Sequence, residues 1–599
     1  MLFFKPKVLN INDLKLKFNT FSYVKSDFSD NLQNKVFEIL NVDYDAGLIL
    51  NIKKSSSLRK EEFRIDSTSD EIVITAESEA AAYYAILTLQ EVLSQTSNCF
   101  HIEDYPDLEI RGVMIDISRS KVPKLETLKQ MVKMFSKLRY NHMELYVEGF
   151  SFEYKSFPNV LIDKNFISLS EYLELEKYAN SYYIDFVPNQ NGLGHMGDWL
   201  EKEEYKDLAE CPDGFYIWGS NRAATTLDPT NQKSIDFVKM MYSDMIPFTS
   251  SKYFNMNFDE PYELGHGKSK QKVEETSIED VYIDYFNELA KEVKKYGKIP
   301  MLWGDVLIKH PDKLDKLIDD AIFIDWGYNK DYPFEKHAKL LNEKKVKYML
   351  APGTSTWSTI TGRILDMKET ILNSTAAAKK YNSLGVLVTD WGDIGHLQYL
   401  PISYLGFILG GLNCWCKASV YQGIEYLKTL MNDDFLVEAM FELGRYHLLE
   451  GEYRDYGSRL FNAILWAEHS RRQENMVEFF KTRMFSNLIE SANLEIIKIS
   501  FSKAEKLLAF AKESLEKDEL NNSLFLLNIL VSINEKLTKI KNNLFVSFDE
   551  EIDKLQKYLI EHKRIWLVRN IEYGYKKSAD RIVWLIEILD KLARKEKIC

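Results

Sequence analysis

The sequence predicts an α/β protein built on a (β/α)8 TIM barrel, with a small α/β domain before the barrel and an all-helical domain after it. Three observations predict this. Between Gly112 and Thr389, strand-like runs alternate with amphipathic helical patterns, as in a closed parallel barrel. All 14 prolines lie at or before Pro401, so the chain beyond can run in long helices. The first hundred residues mix short strands with a helix. The expected domains are 1–105, 106–424 and 425–599.

In the first domain Glu62–Ile65 and Ile72–Ala76 read as strands. Ser78–Ser94 reads as a helix with Ala82, Ile86, Leu89 and Leu93 on one face, and His101–Pro106 as a linker. The barrel strands are expected at Gly112–Ser118, His142–Val147, Ile184–Pro188, Tyr253–Phe258, Ile299–Trp303, Ala321–Trp326, Lys347–Ala351 and Gly385–Thr389. Pro300 blurs the start of the fifth, because proline cannot donate to a ladder. Leu125, Leu128, Val132 and Phe135 line the first crossover helix. The helix after the fourth strand opens at Ser277 with Asp280 in capping-box spacing. No glycine-rich phosphate loop follows an early strand, which weighs against a doubly wound sheet. In the last domain Ser502–Lys517 and Leu520–Lys541 carry helical apolar spacing.

A net charge of -13 argues against a nucleic-acid partner, since neutralising phosphates takes clustered Lys and Arg. The five scattered cysteines, Cys99, Cys211, Cys414, Cys416 and Cys599, read as reduced core thiols rather than a disulfide framework. Met1–Leu9 lacks the apolar run of a signal peptide. The uncharged stretch Leu397–Cys416 contains Gln398, Pro401, Gly410, Gly411 and Asn413 and reads as a buried helix, not a membrane span. A cytoplasmic protein without a membrane partner is expected. No histidine pair has the spacing of a zinc helix, so neither a metal nor a cofactor is expected.

Barrel enzymes keep their active sites at the C-terminal ends of the strands. Those ends read Asp116-Ile117-Ser118-Arg119, Tyr146-Val147-Glu148, Pro188-Asn189-Gln190-Asn191 running on to His195, Asn257-Phe258-Asp259-Glu260, Trp303-Gly304-Asp305, Asp325-Trp326, Pro352-Gly353-Thr354 running on to Trp357, and Asp390-Trp391-Gly392-Asp393. A single Trp or carboxylate at a strand end is ordinarily a packed ring or a solvated charge. Four of the ten tryptophans at four consecutive strand ends, amid carboxylates, suggest a carbohydrate pocket. The apolar face of a pyranose stacks on an indole, and its hydroxyls take charged partners. Two carboxylates can hydrolyse a glycoside. Asp259 and Glu260 are adjacent, and alternation along a strand would point them apart. Adjacency suits a mechanism in which the substrate's own 2-acetamido oxygen attacks the anomeric carbon, one carboxylate orienting it and the other protonating the leaving oxygen.

At these residues the chain resembles glycoside hydrolase family 20, the β-N-acetylhexosaminidases, over roughly residues 60–420. The resemblance lies in Ile72-Val73-Ile74-Thr75, Asp104-Tyr105-Pro106, Arg111-Gly112, Ser118-Arg119 and Asp259-Glu260. A bacterial, intracellular-type subgroup is closer still, through Asn189-Gln190-Asn191, Gly194-His195-Met196, Glu263-Leu264-Gly265, Pro352-Gly353-Thr354-Ser355 and Asp390 to His396. The resemblance implies retaining removal of terminal β-linked GlcNAc and/or GalNAc, with a polarising Asp259 and an acid/base Glu260. It implies Arg119 on the sugar's outer hydroxyls, Trp303, Trp326 and Trp391 as pocket walls, Asp393 on the 4- and 6-hydroxyls, and His195 behind the carboxylates. Trp357 is added as a further wall. Glu148 is either a sugar ligand or the ion-pair partner of Arg119.

This sequence departs from the family at Ser120, Asn257 and Phe258, the latter two standing where small residues are usual. No tyrosine falls clearly where the acetamide carbonyl is bound, leaving Tyr328, Thr354 and Ser355 as candidates. Arg111 lies at the wrong end of its strand for catalysis and reads as structural. Two rival readings stand beside the hexosaminidase: an acetamido-assisted barrel glycosidase removing O-linked GlcNAc from protein, and a catalytically silent sugar-binding scaffold. The segment Trp566–Asn570 is expected to fold back on a neighbouring surface, either the barrel or a second subunit in a homodimer.

Overall fold

The structure is a computed structural model that describes residues 2–43, 45–160 and 166–596; Cys599 lies outside them. The first domain is a six-stranded mixed sheet of order β1-β6-β4-β5-β3-β2. Its strands are β1 (Val8–Lys15), β2 (Phe21–Ser26), β3 (Leu48–Lys54), β4 (Phe63–Ser67), β5 (Glu71–Ala76) and β6 (Asn98–Asp104). The helix Glu79–Leu93 is capped by Ser78, whose side chain accepts from the amide of Ala81, and it buries Ala82, Ile86 and Leu89. The segment expected as a linker is instead the end of β6, where Ile102 alternates with the more open His101 and Glu103 and pairs with both β1 and β4. Strands β1 to β3 and the helix Asp30–Ile39 were not expected.

Arg111 couples this domain to the barrel and is structural, as its position suggests. It pairs with Glu61 at 2.8 Å and donates to the carbonyl of Arg139 at 2.7 Å. Burial of such a cation is tolerated because its donors are satisfied.

The barrel strands are β7 (Ile110–Asp116), β8 (His142–Tyr146), β9 (Asp185–Val187), β12 (Tyr253–Asn255), β13 (Ile299–Trp303), β14 (Ile322–Trp326), β15 (Tyr348–Ala351) and β16 (Gly385–Asp390). They form one parallel sheet of order β12-β13-β14-β15-β16-β7-β8-β9. Closure runs through Gln190 donating to the carbonyl of Asn255 at 2.9 Å and Asn255 to that of Pro188 at 3.0 Å. Strands β7 and β16 are buried on both faces, which the apolar runs Val113–Ile115 and Val386–Val388 at their centres anticipate. Pro300 sits inside β13 opposite Phe254. The alternation of strand and helix fails once: after β13 the return is a short 3-10 turn, Pro311–Lys316. The long loop after β9 carries a hairpin, β10 (Phe215–Ile217) and β11 (Ser220–Arg222), turned by Trp218 and Gly219 at φ 53° and 74°.

From Val420 the chain is helical to Glu596. The expected run Ser502–Lys517 is broken, because Ser514 caps a new helix, Leu515–Lys541, after the helix Ser491–Phe510. The apolar core of this region takes in Ile360, Leu397, Tyr399 and Ile402 from barrel loops. The segment Trp566–Asn570 does fold back, and it meets the barrel of its own chain. The amide of Lys124 and the hydroxyl of Thr127 donate to the carbonyl of Arg569 at 2.9 and 2.7 Å, and Ile571 donates to Val122 at 3.0 Å. No helix among the described residues is long and apolar enough to cross a membrane; Leu397–Cys416 holds the buried helix Tyr404–Trp415.

Candidate active site

A cavity of about 480 Å3 opens at the C-terminal ends of the barrel strands. Arg119, His195, Asp259, Glu260, Trp303, Trp326, Trp357, Trp391 and Asp393 all line it. Glu148 does not; its carboxylate meets Arg119 at 3.2 Å, which favours the ion-pair reading of that residue. Arg119 also faces Asp116 at 3.4 Å and Asp393 at 3.8 Å, and lies over the rings of Tyr146 and Trp391 at 4.7 and 4.9 Å. A guanidinium so clamped presents its remaining edge in a set orientation.

The carboxylate pair does not lie on a strand. Strand β12 ends at Asn255, and Asn257, Phe258 and Glu260 take left-handed backbone at φ 62°, 74° and 50°. The strand expected to Phe258 is therefore too long, and alternation along it does not set the directions of Asp259 and Glu260. Such conformations cost on the order of 1–3 kcal/mol each and persist where surroundings over-determine them. Here the carbonyl of Asn257 accepts from the amide of Trp303 at 2.8 Å, and that of Phe258 from the hydroxyl of Tyr282 at 3.1 Å. The amide of Glu260 donates to Asp305 at 3.1 Å. Asn257 tolerates the left-handed region, which accounts for an Asn where glycine is usual. Its side-chain carbonyl accepts from the Trp303 indole at 2.8 Å, so the strained turn also sets that wall. Gly194 is required for a different reason: a Cβ there would stand 2.2 Å from the carbonyl oxygen of Asp259.

The two carboxylates occupy different environments. Asp259 accepts from Asn191 Nδ2 at 2.8 Å and from the Tyr146 hydroxyl at 3.4 Å. His195 Nε2 stands 3.3 Å from Asp259 and 3.3 Å from Glu260. Against its burial, His195 and Arg119 hold the Asp259 carboxyl below the usual range. Against its own burial, the carboxylates of Asp259, Glu260 and Glu148 lift His195 well above its usual value. Glu260 is the more open of the pair, with 30% of its side chain exposed against 8% for Asp259. Beside it, Asp305 is pushed up to about 7 by burial and by the charges of Glu260 and Asp259. Burial likewise raises Asp393 to about 6 and Glu148 to about 7, in both cases against Arg119.

Among the hydroxyl candidates, the structure brings only Tyr328 to the cavity. It accepts from the Trp391 indole at 2.8 Å and stacks on Trp326 at 5.2 Å. Thr354 is buried against Asp390, and Ser355 donates to the carbonyl of Tyr328. Sequence reasoning missed Trp218, Tyr262, Ser358 and Tyr456, which also line the cavity. Trp218 had a legible signal, a Trp-Gly turn between short alternating runs. Tyr456 had none, since it belongs to the helical region and reaches the site only through the fold.

A (β/α)8 barrel whose C-terminal mouth holds two adjacent, differently held carboxylates within a box of indoles defines a carbohydrate-active barrel domain. Residues 109–385 match the model of glycosyl hydrolase family 20, catalytic domain, and this barrel belongs to that family. The chain is 25% identical over 291 residues, 44% of its length, to beta-hexosaminidase 1 of Coccidioides posadasii, covering 49% of that relative. It is 23% identical over 282 residues to the lacto-N-biosidase of Bifidobacterium bifidum, again 44% of its length but 24% of the relative's. The chain thus spans about half or less of these curated relatives. In fold it is similar to the GH20 exo beta-N-acetylglucosaminidase of Vibrio harveyi, at TM-score 0.59 and 16% identity over 76% of this chain and 78% of that one. It is also similar to the Flavobacterium johnsoniae chitobiase, at TM-score 0.59 and 16% identity over 96% of this chain and 98% of that one, so this likeness takes in the helical region.

Proposed function

We propose that this chain is a retaining exo-β-N-acetylhexosaminidase that hydrolyses terminal β-linked GlcNAc and/or GalNAc with the help of the substrate's 2-acetamido group. The observation that carries the reading is the asymmetry of the pair. Asp259 is buried, hydrogen-bonded and held ionised; Glu260 faces the cavity. An ionised Asp259 orients the acetamide N–H and offsets the positive charge that develops as its carbonyl oxygen attacks the anomeric carbon. Glu260 protonates the departing oxygen and then takes a proton from the water that opens the oxazolinium. The Tyr328 hydroxyl serves as donor to the acetamide oxygen. Trp303, Trp326, Trp357 and Trp391 exclude water and stack on the sugar and its acetyl group. Arg119 and Asp393 bind the outer hydroxyls, and His195 positions the pair.

The test is side-by-side assay of nitrophenyl β-GlcNAc, β-GalNAc and β-glucoside. Turnover of either acetamido sugar, with none of the glucoside, is expected. Hydrolysis of the glucoside at a comparable rate would sink the acetamido mechanism, and no turnover of any would favour the silent sugar-binding scaffold.

The buried, unbridged thiols of Cys99, Cys211, Cys414 and Cys416 support a cytoplasmic location. A homodimer is supported by an apolar face on the helix Ser491–Phe510, where Ile499 and Phe510 are exposed and Phe510 meets Phe435 at 5.6 Å. Sedimentation would decide it.

A further inference from the structure

The side of the cavity beside Glu260 is built differently from the indole box. The amide of Tyr262 donates to the carbonyl of Glu260 at 2.8 Å, and the Tyr262 ring meets Trp218 edge-on at 4.7 Å. Trp218 is 56% exposed although it lines the cavity. An indole this open at the mouth offers a stacking surface beyond the first sugar. It lies next to the group assigned as acid, where the leaving group departs.

Around this indole the charge is positive, in a chain whose net charge is -13. The guanidinium of Arg222 lies over the Trp218 ring at 4.6 Å. From the helical region, Arg483 donates to the carbonyl of Gly219 in the same turn at 3.4 Å. Arg454 is two residues from Tyr456, which lines the cavity, and donates to the carbonyl of Ser458 at 3.2 Å. Arg472 completes the group around His469. After burial, the charges of Arg222, Arg472, Arg483 and Arg454 together push that histidine down to about 4. Among the described residues no carboxylate lies within 4.0 Å of any of these four arginines. The nearby Glu468 is held by Arg581 at 3.0 Å. These four cations, with no carboxylate paired to them within 4.0 Å and Glu468, Glu260 and Glu450 acting on Arg222 and Arg454 only from farther off, stand behind the stacking surface on the side where the leaving group departs and form a site for an anion.

We propose that Trp218, Arg222, Arg454, Arg472 and Arg483 form an aglycone subsite that selects β-N-acetylhexosaminides whose leaving group is a sugar carrying a carboxylate or a sulfate. The pyranose stacks on Trp218 and its anion meets the arginines. The subsite rests on the hexosaminidase reading above, and it assigns the helical region a part in specificity, since three of its four cations come from there.

The test compares kcat/KM at low ionic strength for three disaccharides, GlcNAc β-linked to glucose, to glucuronate and to 6-sulfoglucose, with nitrophenyl β-GlcNAc as reference. An anionic aglycone is expected to be favoured over glucose by about tenfold or more, the scale of one charge-assisted hydrogen bond. Comparing glucuronate with 6-sulfoglucose shows which anion fits. The preference should collapse in Arg222→Gln/Arg472→Gln, survive in part in Arg222→Lys, and narrow as salt rises. Equal kcat/KM on all three disaccharides while the nitrophenyl glycoside is turned over would overturn the subsite alone, as would a preference that persists in the double variant. If the nitrophenyl glycoside is not turned over either, the hexosaminidase reading fails and the subsite falls with it.

Discussion

The side-chain amide of Asn191 donates to Oδ1 of Asp259 over 2.8 Å, joining the loop after β9 to the loop after β12 across the seam where the barrel closes. With the Tyr146 hydroxyl and His195 on Oδ2, it leaves the Asp259 carboxylate one orientation. Asp259→Asn should therefore lower kcat/KM by about a hundredfold or more, the range for one electrostatic contact to a developing charge, with little change in Tm. Asn191→Ala should lose about tenfold while retaining an ionised Asp259. A thiazoline mimic of the oxazolinium that bound Asp259→Asn as tightly as the parent would remove Asp259 from this role.

Glu260→Gln should separate substrates by leaving group. A sugar aglycone needs a proton and an activated phenol needs little, so the loss on a disaccharide should exceed that on a nitrophenyl glycoside by about 10²-fold or more. Equal losses would show that Glu260 is not the acid.

Much of this site was legible from strand ends alone, because a parallel barrel places those ends around one mouth. Arg119, Asp259, Glu260, Trp303, Trp326, Trp391 and Asp393 converge for that reason. What strand-end logic could not reach lies in loops and in the last domain. The turn at Asn257–Glu260 depends on left-handed backbone, and nothing in the alternating pattern of Tyr253–Phe258 announces where it begins. Strand β1 escaped notice because it lies at the sheet edge with most of its residues open to solvent, so its composition reads as loop. The absent fifth crossover helix leaves Asp312 to Lys316 as a polar turn with proline at its start, a stop signal where a helix was assumed.

Asp393 gives the site a pH dependence. Its carboxyl is raised from 3.8 to about 6 by burial, so binding through a charged acceptor should weaken as pH falls through about 6. KM should rise below that pH in the parent, and Asp393→Asn should show a higher KM without that rise. For stability the sense is reversed. A carboxyl raised in the folded state holds its proton more tightly than in the unfolded chain. Its contribution is complete below about 3.8 and is lost as pH rises through about 6. Asp393→Asn should accordingly raise Tm at pH 8 relative to the parent by more than it does at pH 4. Identical KM profiles for the two proteins would place the ionisation elsewhere.

Cutting the chain at about residue 425 should yield aggregated or inactive protein. Ile360, Leu397, Tyr399 and Ile402 would lose the apolar partners that cover them, and the loop Val122–Lys124, next to Arg119, would lose its ties to Arg569 and Ile571. A monodisperse truncated barrel with full activity would show the helical region to be dispensable for the chemistry.

In the proposed reaction the substrate's acetamido oxygen is the nucleophile, with Asp259 steering it and Glu260 serving the leaving group. The most direct measurement is kcat/KM along a series of nitrophenyl β-glucosaminides whose N-acetyl group carries zero, one, two and three fluorines. Fluorine withdraws electrons from the carbonyl oxygen and leaves the glycosidic bond unaltered. A steep, monotonic fall in rate across the series is expected, whereas a flat series would assign the attack to an enzyme group or to water and contradict acetamido participation.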